Sequence, residues 1–128
     1  MTWVADASVT VAYLLGEASD AERHAMLGDV HAPALVDIEV TQTLRGLLRA
    51  AKIDLETAEL GRDELMQLGI RRHPDSHLLR RSWELRDICT VYDALYVALA
   101  EALDAPLITR DARLARGVAA IVEVVTTS

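Results

Sequence analysis

Short apolar segments alternate with longer helical segments along nearly the whole 128-residue chain. Thr2–Ala5 and Pro106–Thr109 are two such apolar segments, and each is too short for anything but a buried strand. Strands that alternate with helices favour a parallel sheet covered on both faces, because a parallel crossover needs a connection of helical length. The sequence therefore predicts an α/β fold, a three-layer α/β/α sandwich with a short parallel central sheet.

Periodicity and capping residues set the predicted boundaries. The predicted strands are Thr2–Ala5, Val30–Ala32, Ile70–His73, Pro106–Thr109 and Ala120–Val125. The predicted helices are Ser8–Leu15, Ser19–Leu27, Ala34–Ala51, Leu55–Leu68, Ser76–Arg86, Val91–Leu103 and Ala112–Gly117. We expect Asp54 and Ser76 to cap the helices they precede, and Thr90 with Asp93 to form a capping box. The length predicts a single domain, residues 1–128.

Composition limits the core and the partners. Hydrophobic residues make up 52% of the chain but aromatic residues only 4%, with no Phe, so we expect an aliphatic core that also takes up Tyr92. The net charge of -7 argues against passive adhesion to nucleic acid, although it is compatible with a polyanion held through bound metal. A lone cysteine, Cys89, and an apolar stretch too short to span a bilayer, Val9–Leu15, favour a cytoplasmic protein without a membrane anchor.

Four acidic residues are predicted to meet at one edge of the sheet. Asp6 ends the first strand and Asp111 follows the fourth, and parallel strands bind ligands at their carboxyl edge. Glu39 lies early in the helix after the second strand, and Asp93 opens the helix that leads into the fourth. Two unit charges about 4 Å apart repel each other by roughly 4 kcal/mol at an effective dielectric near 20. Such a cluster either binds a divalent metal ion or retains protons.

Each acid also has a structural explanation. Asp6 and Asp111 suit helix N-caps and Asp93 suits a capping box, where negative charge is favourable by about 0.3–1 kcal/mol. Glu39 lies in a strongly apolar helix, where an unpaired buried carboxylate is costly. We expect Asp37, two positions earlier, to face solvent. The coincidence of four acids at one edge favours chemistry more than any single residue does.

Several polar residues stand beside these acids. Ser8, two residues after Asp6, is expected either to cap the helix or to bond a carboxylate or phosphate, with capping preferred. Arg110 and Arg113 flank Asp111 and are candidate phosphate contacts. The four histidines show neither zinc-ligand spacing nor an obvious Ser or Cys partner.

Four stretches, in order along nearly the whole chain, carry a family resemblance. They are Val4–Ser8, Pro33–Leu35 leading to Glu39, Tyr92–Ala100 and Leu107–Asp111. With them the chain resembles the PIN-domain ribonucleases and, more narrowly, the VapC-type toxins of bacterial toxin–antitoxin pairs. Gln42 is a departure, since family members often have Asn three residues after the helical Glu.

The resemblance implies a PIN-like fold and a metal-dependent endoribonuclease. It implies that Asp6, Glu39, Asp93 and Asp111 bind Mg²⁺ or Mn²⁺, with Thr109 ordering a carboxylate or a metal-bound water. It also implies an RNA substrate, a homodimer and inhibition by a small cognate antitoxin protein. We expect the dimer surface on the first two helices, residues 8–27.

Three other classes of protein share some of these features. A phospho-receiver domain needs a second acid beside the first and a late-strand lysine, whereas the sole lysine, Lys52, lies in the middle of the chain. An acid-nucleophile phosphatase needs an Asp two residues after Asp6, where Ser8 stands. The remaining alternative is a non-catalytic PIN-like module that binds a small partner protein and uses the acids only as caps.

Overall fold

β1 (Thr2–Ala5) lies at the centre of a five-stranded sheet in the computed structural model, which describes residues 1–127. The other strands are β2 (Asp29–Pro33), β3 (Arg71–His73), β4 (Leu107–Thr109) and β5 (Val124–Thr126). The strand order is β3-β2-β1-β4-β5, and all four pairings are parallel. The predicted short parallel sheet is confirmed, while Ser128, the last residue of the predicted domain, lies outside the described residues.

Helices connect the strands and flank the sheet. They are α1 (Ala7–Leu14), α2 (Asp20–Leu27), α3 (Leu35–Arg49), α4 (Leu55–Leu65), α5 (Leu79–Glu84), α6 (Val91–Leu103) and α7 (Ala112–Val118). The sheet grows from β1 to β2 and β3 on one side, and to β4 and β5 on the other. With right-handed crossovers, this reversal places helices on both faces, which is the predicted α/β/α arrangement. In residues 1–127, every helix is too short or too polar to cross a membrane.

The core is aliphatic, as its composition predicts. Val4, Val30 and Ile108 of the central strands are fully buried, and α6 covers them with a nearly continuous run of buried residues from 94 to 100. Tyr96 is the exception, a fully buried aromatic residue in that run. Tyr92, predicted to lie in the core, is instead 62% exposed in the first turn of α6.

Two predicted boundaries are wrong. The helix expected over Ser76–Arg86 is a 3-10 turn at Asp75–His77 followed by the short α5, and no side chain caps α5. The Asp75 carboxylate is used elsewhere, because it accepts a hydrogen bond from the Leu35 N–H at 3.0 Å. The last strand begins at Val124 rather than Ala120, because the Ile121 and Val122 N–H groups both bond back to the Val118 carbonyl.

Candidate functional site

Asp6 lies directly after β1 and caps α1. Its Oδ1 accepts hydrogen bonds from the Ser8 hydroxyl at 2.6 Å and the Val9 N–H at 3.2 Å. Its Oδ2 accepts one from the Thr109 hydroxyl at 2.5 Å. The residue is buried, and burial raises the pKa of its carboxyl group above the ordinary value although all three hydrogen bonds oppose the shift. Asp6 is thus a desolvated acid held by neutral donors only.

The sheet register explains why Thr109 reaches Asp6. Ala5 of β1 pairs with Ile108 of β4, so the residues that follow each strand emerge side by side at the carboxyl edge. Thr109 is fully buried, and its Oγ1 also accepts a hydrogen bond from the Asp111 N–H at 3.0 Å. One hydroxyl group therefore links two of the predicted site acids.

Glu39 points from α3 towards α6. Its Oε1 accepts a hydrogen bond from the Tyr96 hydroxyl at 2.7 Å. Partial burial raises the pKa of Glu39, and the nearby charges of Asp93 and Asp6 raise it further. The pKa of the Tyr96 hydroxyl is raised by burial and by Glu39, so it remains a donor. Tyr96 was not among the predicted site residues. The signal that could have indicated it is its position three residues after Asp93, which places both on one face of the helix.

Asp93 and Asp111 form the other half of the site. The Asp93 N–H donates to Thr90 Oγ1 at 3.1 Å, which is one half of the predicted capping box. Burial and then the Asp111 charge raise the pKa of Asp93. Asp111 caps α7, its Oδ1 accepting from the Arg113 and Leu114 N–H groups at 3.0 Å each. A cleft of about 330 Å³ is lined by Ile88, Cys89, Thr90, Asp93, Asp111, Arg113 and Leu114.

We refer to Asp6, Glu39, Asp93 and Asp111 as the carboxylate cluster. Its members are electrostatic neighbours, since Asp93 raises the pKa values of Asp6 and Glu39, and Asp111 raises that of Asp93. The ion pairs formed within residues 1–127 use other acids. The cluster thus concentrates negative charge at the carboxyl edge, and none of its acids forms an ion pair with a basic side chain in the described part of the chain.

Three polar residues differ from expectation. Ser8 does not cap α1; Asp6 does, and the Ser8 hydroxyl donates to Asp6 instead. Asp37 does not simply face solvent, because it forms an ion pair with Arg72 at 2.9 Å. Arg110 is not free for phosphate, because its guanidinium group binds the buried carboxylate of Glu22.

Arg113 remains the basic side chain best placed for substrate. It is exposed and lines the cleft together with Asp93 and Asp111. Arg110, the other arginine expected to contact phosphate, points away from the cleft and binds Glu22. Glu22 was not among the predicted site residues. The local pattern of α2 marks Glu22 only as the third-residue acid of a capping box with Ser19. It does not indicate Arg110, which is 88 positions away in the chain.

The donor set fits a hard divalent cation. The carboxylate cluster offers only oxygen atoms, which Mg²⁺ and Mn²⁺ prefer to nitrogen or sulfur. Across residues 1–127, no three His, Cys, Asp or Glu side chains are already close enough to enclose an ion. A bound ion would thus take several of its ligands from water, as Mg²⁺ commonly does in proteins.

Comparisons with known proteins agree with this fold. The family model of the PIN domain matches residues 4–119. Ribonuclease VapC1 of Mycobacterium tuberculosis is 48% identical over 86 residues, which cover 66% of this chain and 65% of that protein. The match therefore spans slightly less than two thirds of that relative. Ribonuclease VapC9 of the same organism is 37% identical over 111 residues, 87% of each chain.

A solved structure shares the architecture. The crystal structure of VapBC2 from Rickettsia felis, bound to a DNA fragment from their promoter, superposes with a TM-score of 0.68 over 100% of both chains. Its sequence identity of 15% shows likeness of fold alone. The family model and the two ribonuclease relatives confirm the resemblance seen in the sequence, and the chain belongs to the PIN-domain family.

Proposed function

We propose that this chain is a divalent-metal-dependent endoribonuclease and acts as the toxin of a toxin–antitoxin pair. The proposal rests on one observation, the carboxylate cluster: Asp6, Glu39 and Asp93 carry raised pKa values, and none of its acids forms an ion pair with a basic side chain of residues 1–127. Two relatives of this chain, VapC1 and VapC9, are named as ribonucleases. Acid-only clusters at a strand edge suit metal-assisted hydrolysis of phosphodiesters.

Asp6, Glu39, Asp93 and Asp111 would hold Mg²⁺ or Mn²⁺. When bound, such an ion lowers the pKa of its water and offsets negative charge on the phosphate. Asp6 is oriented for this task by Ser8 and Thr109, which leave its carboxylate ionisable but fixed. No protein nucleophile is required.

Tyr96 and Thr109 prepare the site in different ways. The Tyr96 hydroxyl fixes Glu39 by one hydrogen bond and leaves the second oxygen free of that contact. Thr109 donates to Asp6 and accepts from the Asp111 backbone, so it sets the spacing between these two acids. These contacts hold the acids in place before substrate arrives, which reduces the reorganisation needed during reaction.

RNA would be gripped locally rather than by a basic surface. The net charge is -7, so long-range attraction to a polyanion is absent. Arg113 lies in the cleft with two of the acids and would contact a phosphate beside the cleaved bond. Ser8 would act through Asp6, because its hydroxyl is already bonded to that carboxylate.

The partner would be a small antitoxin protein. The fold of this chain resembles that of VapBC2 at 15% sequence identity, and this likeness of fold supports a partner of that kind. We further propose a homodimer and a cytoplasmic site of action, where RNA substrates are found. The dimer surface expected on residues 8–27 belongs to this proposal.

The decisive experiment measures RNA cleavage with Mg²⁺, Mn²⁺ or EDTA. Asp93→Asn removes one charge from the cluster and keeps the shape, and we expect a rate loss of roughly two to three orders of magnitude. Asp87→Asn is the matched control, an exposed Asp near the start of α6 that should leave the rate unchanged. Equal cleavage by native protein and Asp93→Asn contradicts the mechanism. Absence of metal-dependent cleavage by native protein favours the interaction-module alternative.

A further inference from the structure

The side chain of Arg110 leaves the turn between β4 and α7 and binds an acid on α2. Arg110 Nε donates to Glu22 Oε2 at 2.6 Å, and Nη2 donates to Oε1 at 2.8 Å. Nη2 also donates to the Glu17 carbonyl at 3.0 Å. The Glu22 side chain is fully buried, whereas that of Arg110 is 27% exposed, so the carboxylate end of this forked pairing is shielded from water. We call Glu22 and Arg110 the brace.

The brace is tied to two further segments. Glu22 Oε1 accepts from the Ser19 N–H at 2.8 Å, and Oε2 accepts from the Thr127 hydroxyl at 2.9 Å. The Thr127 N–H in turn donates to the Thr109 carbonyl at 2.9 Å. Both oxygens of Glu22 thus have two donors each, and the residue after β5 connects the brace to the end of β4.

The backbone of Arg110 reaches the carboxylate cluster. Its N–H donates to Ser8 Oγ at 3.1 Å, and the Ser8 hydroxyl then donates to Asp6 Oδ1 at 2.6 Å. Because the Ser8 oxygen is occupied as an acceptor by this N–H, its own hydrogen is directed to Asp6. Thr109, the preceding residue, donates to the other oxygen of Asp6. Fixing Arg110 therefore fixes both hydroxyl donors of Asp6.

We infer that Glu22 and Arg110 are positioning residues that set the affinity of the carboxylate cluster for a divalent cation by holding the β4–α7 turn against Ser8 and Asp6. The inference rests on the proposed function. The brace touches neither substrate nor cation; it acts through Ser8, Thr109 and Asp6. A purely structural ion pair would change folding stability and leave the cation affinity of the folded protein unchanged.

The test measures Mn²⁺ binding by titration calorimetry, together with kcat and KM for RNA. In Glu22→Gln we expect Mn²⁺ affinity to fall about 10- to 100-fold, as for other residues that orient metal ligands. We expect kcat to fall and KM for RNA to change little. Arg110→Lys keeps the charge and loses the fork, so its affinity should lie between those of native protein and Glu22→Gln. Glu101→Gln breaks an exposed ion pair to Arg81 far from the cluster and should match native protein.

Circular dichroism establishes that each variant is folded at the titration temperature. If Glu22→Gln does not fold, Arg110→Lys carries the test. Native Mn²⁺ affinity in folded Glu22→Gln or, failing that, in Arg110→Lys overturns the positioning role and leaves the proposed function standing. Native protein that binds no Mn²⁺ overturns the proposed function and this inference together.

Discussion

Asp6 and Glu22 are two buried acids joined by one chain of hydrogen bonds, yet their environments differ in charge. Glu22 receives a guanidinium fork from Arg110, a hydroxyl group and a backbone N–H. Asp6 receives two hydroxyl groups and a backbone N–H, all of them neutral. The pKa of Glu22 is lowered to about 2, first of all by Arg110, whereas burial raises that of Asp6.

The difference separates a structural acid from a functional one. Glu22 forms an ion pair with Arg110, so its negative charge is neutralised within the protein. Among residues 1–127, Asp6, Glu39 and Asp93 form no ion pair, so their negative charge is available to an external cation. Raised pKa values report the cost of keeping them ionised, which metal binding would relieve.

The largest expected effect is a loss of folding stability when the ion pair of the brace is broken. Arg110→Met leaves a fully buried charge on Glu22, which should lower the free energy of unfolding by about 3–5 kcal/mol. Urea denaturation measures this loss. Arg81→Met is the control, because its pair with Glu101 is exposed and should change stability by less than about 1 kcal/mol. The double variant Arg110→Met with Glu22→Leu should recover much of the loss; equal losses in Arg110→Met and Arg81→Met contradict the contrast.

The second effect is stabilisation by metal. If the carboxylate cluster binds a divalent ion in the native state only, Mn²⁺ at about 100 times its Kd should raise stability by roughly 2.7 kcal/mol. Thermal unfolding at increasing Mn²⁺ measures the rise. Asp93→Asn should show a clearly smaller rise, and native protein whose Tm does not respond to Mn²⁺ contradicts the cluster as a cation site.

A smaller effect is expected when charge is removed from the cluster. Asp93→Asn relieves repulsion with Asp111 and should raise stability at pH 7 without metal by about 0.2–1 kcal/mol. The sign is opposite to that for the brace, where removing a charge destabilises. A clear loss of stability in Asp93→Asn at pH 7 would show that this acid is a structural residue.

The smallest expected effect is a change in how folding stability depends on pH in the acid range. The folded-state pKa of Asp93 is raised from 3.8, so the stability it contributes is fully present below about 3.8 and is lost as pH rises through the folded value. The advantage of Asp93→Asn should therefore shrink to nothing near pH 3.8. Glu22 behaves in reverse: its contribution is present above 4.5 and is lost as pH falls through about 2. Tm measured against pH for native protein, Asp93→Asn and Glu22→Gln checks both signs. An advantage of Asp93→Asn over native protein that persists at pH 3 contradicts the assignment.

The fold was predictable because the strands are short, apolar and separated by helices. Asp6 and Asp111 could be placed at one edge from topology alone, since each follows a strand and the strands are parallel. Sequence position also placed Glu39 and Asp93 near that edge, but it could not show that Tyr96 rather than Tyr92 points inward.

Contacts between distant elements lay beyond the sequence. The pairing of Arg110 with Glu22 depends on how α2 and the β4–α7 turn approach each other in the folded chain. Local pattern treats Arg110 as an exposed cation beside Asp111 and Glu22 as an ordinary acid in a helical first turn. The short α5 was also unpredictable, because Ser76, the predicted cap, lies within the preceding 3-10 turn, and Leu78 at the start of α5 has no side chain that could cap it.

Asp6 both caps α1 and belongs to the carboxylate cluster. This double role affects which residues would persist in descendants of such a protein that have lost activity. Asp6 and Asp111 each accept backbone N–H bonds at a helix start, so drift after loss of activity would still retain them for folding. Glu39 has a single tyrosine donor instead, and Asp93 donates its own N–H rather than accepting one. Among related chains, decay of catalysis should thus be visible first at positions 39 and 93.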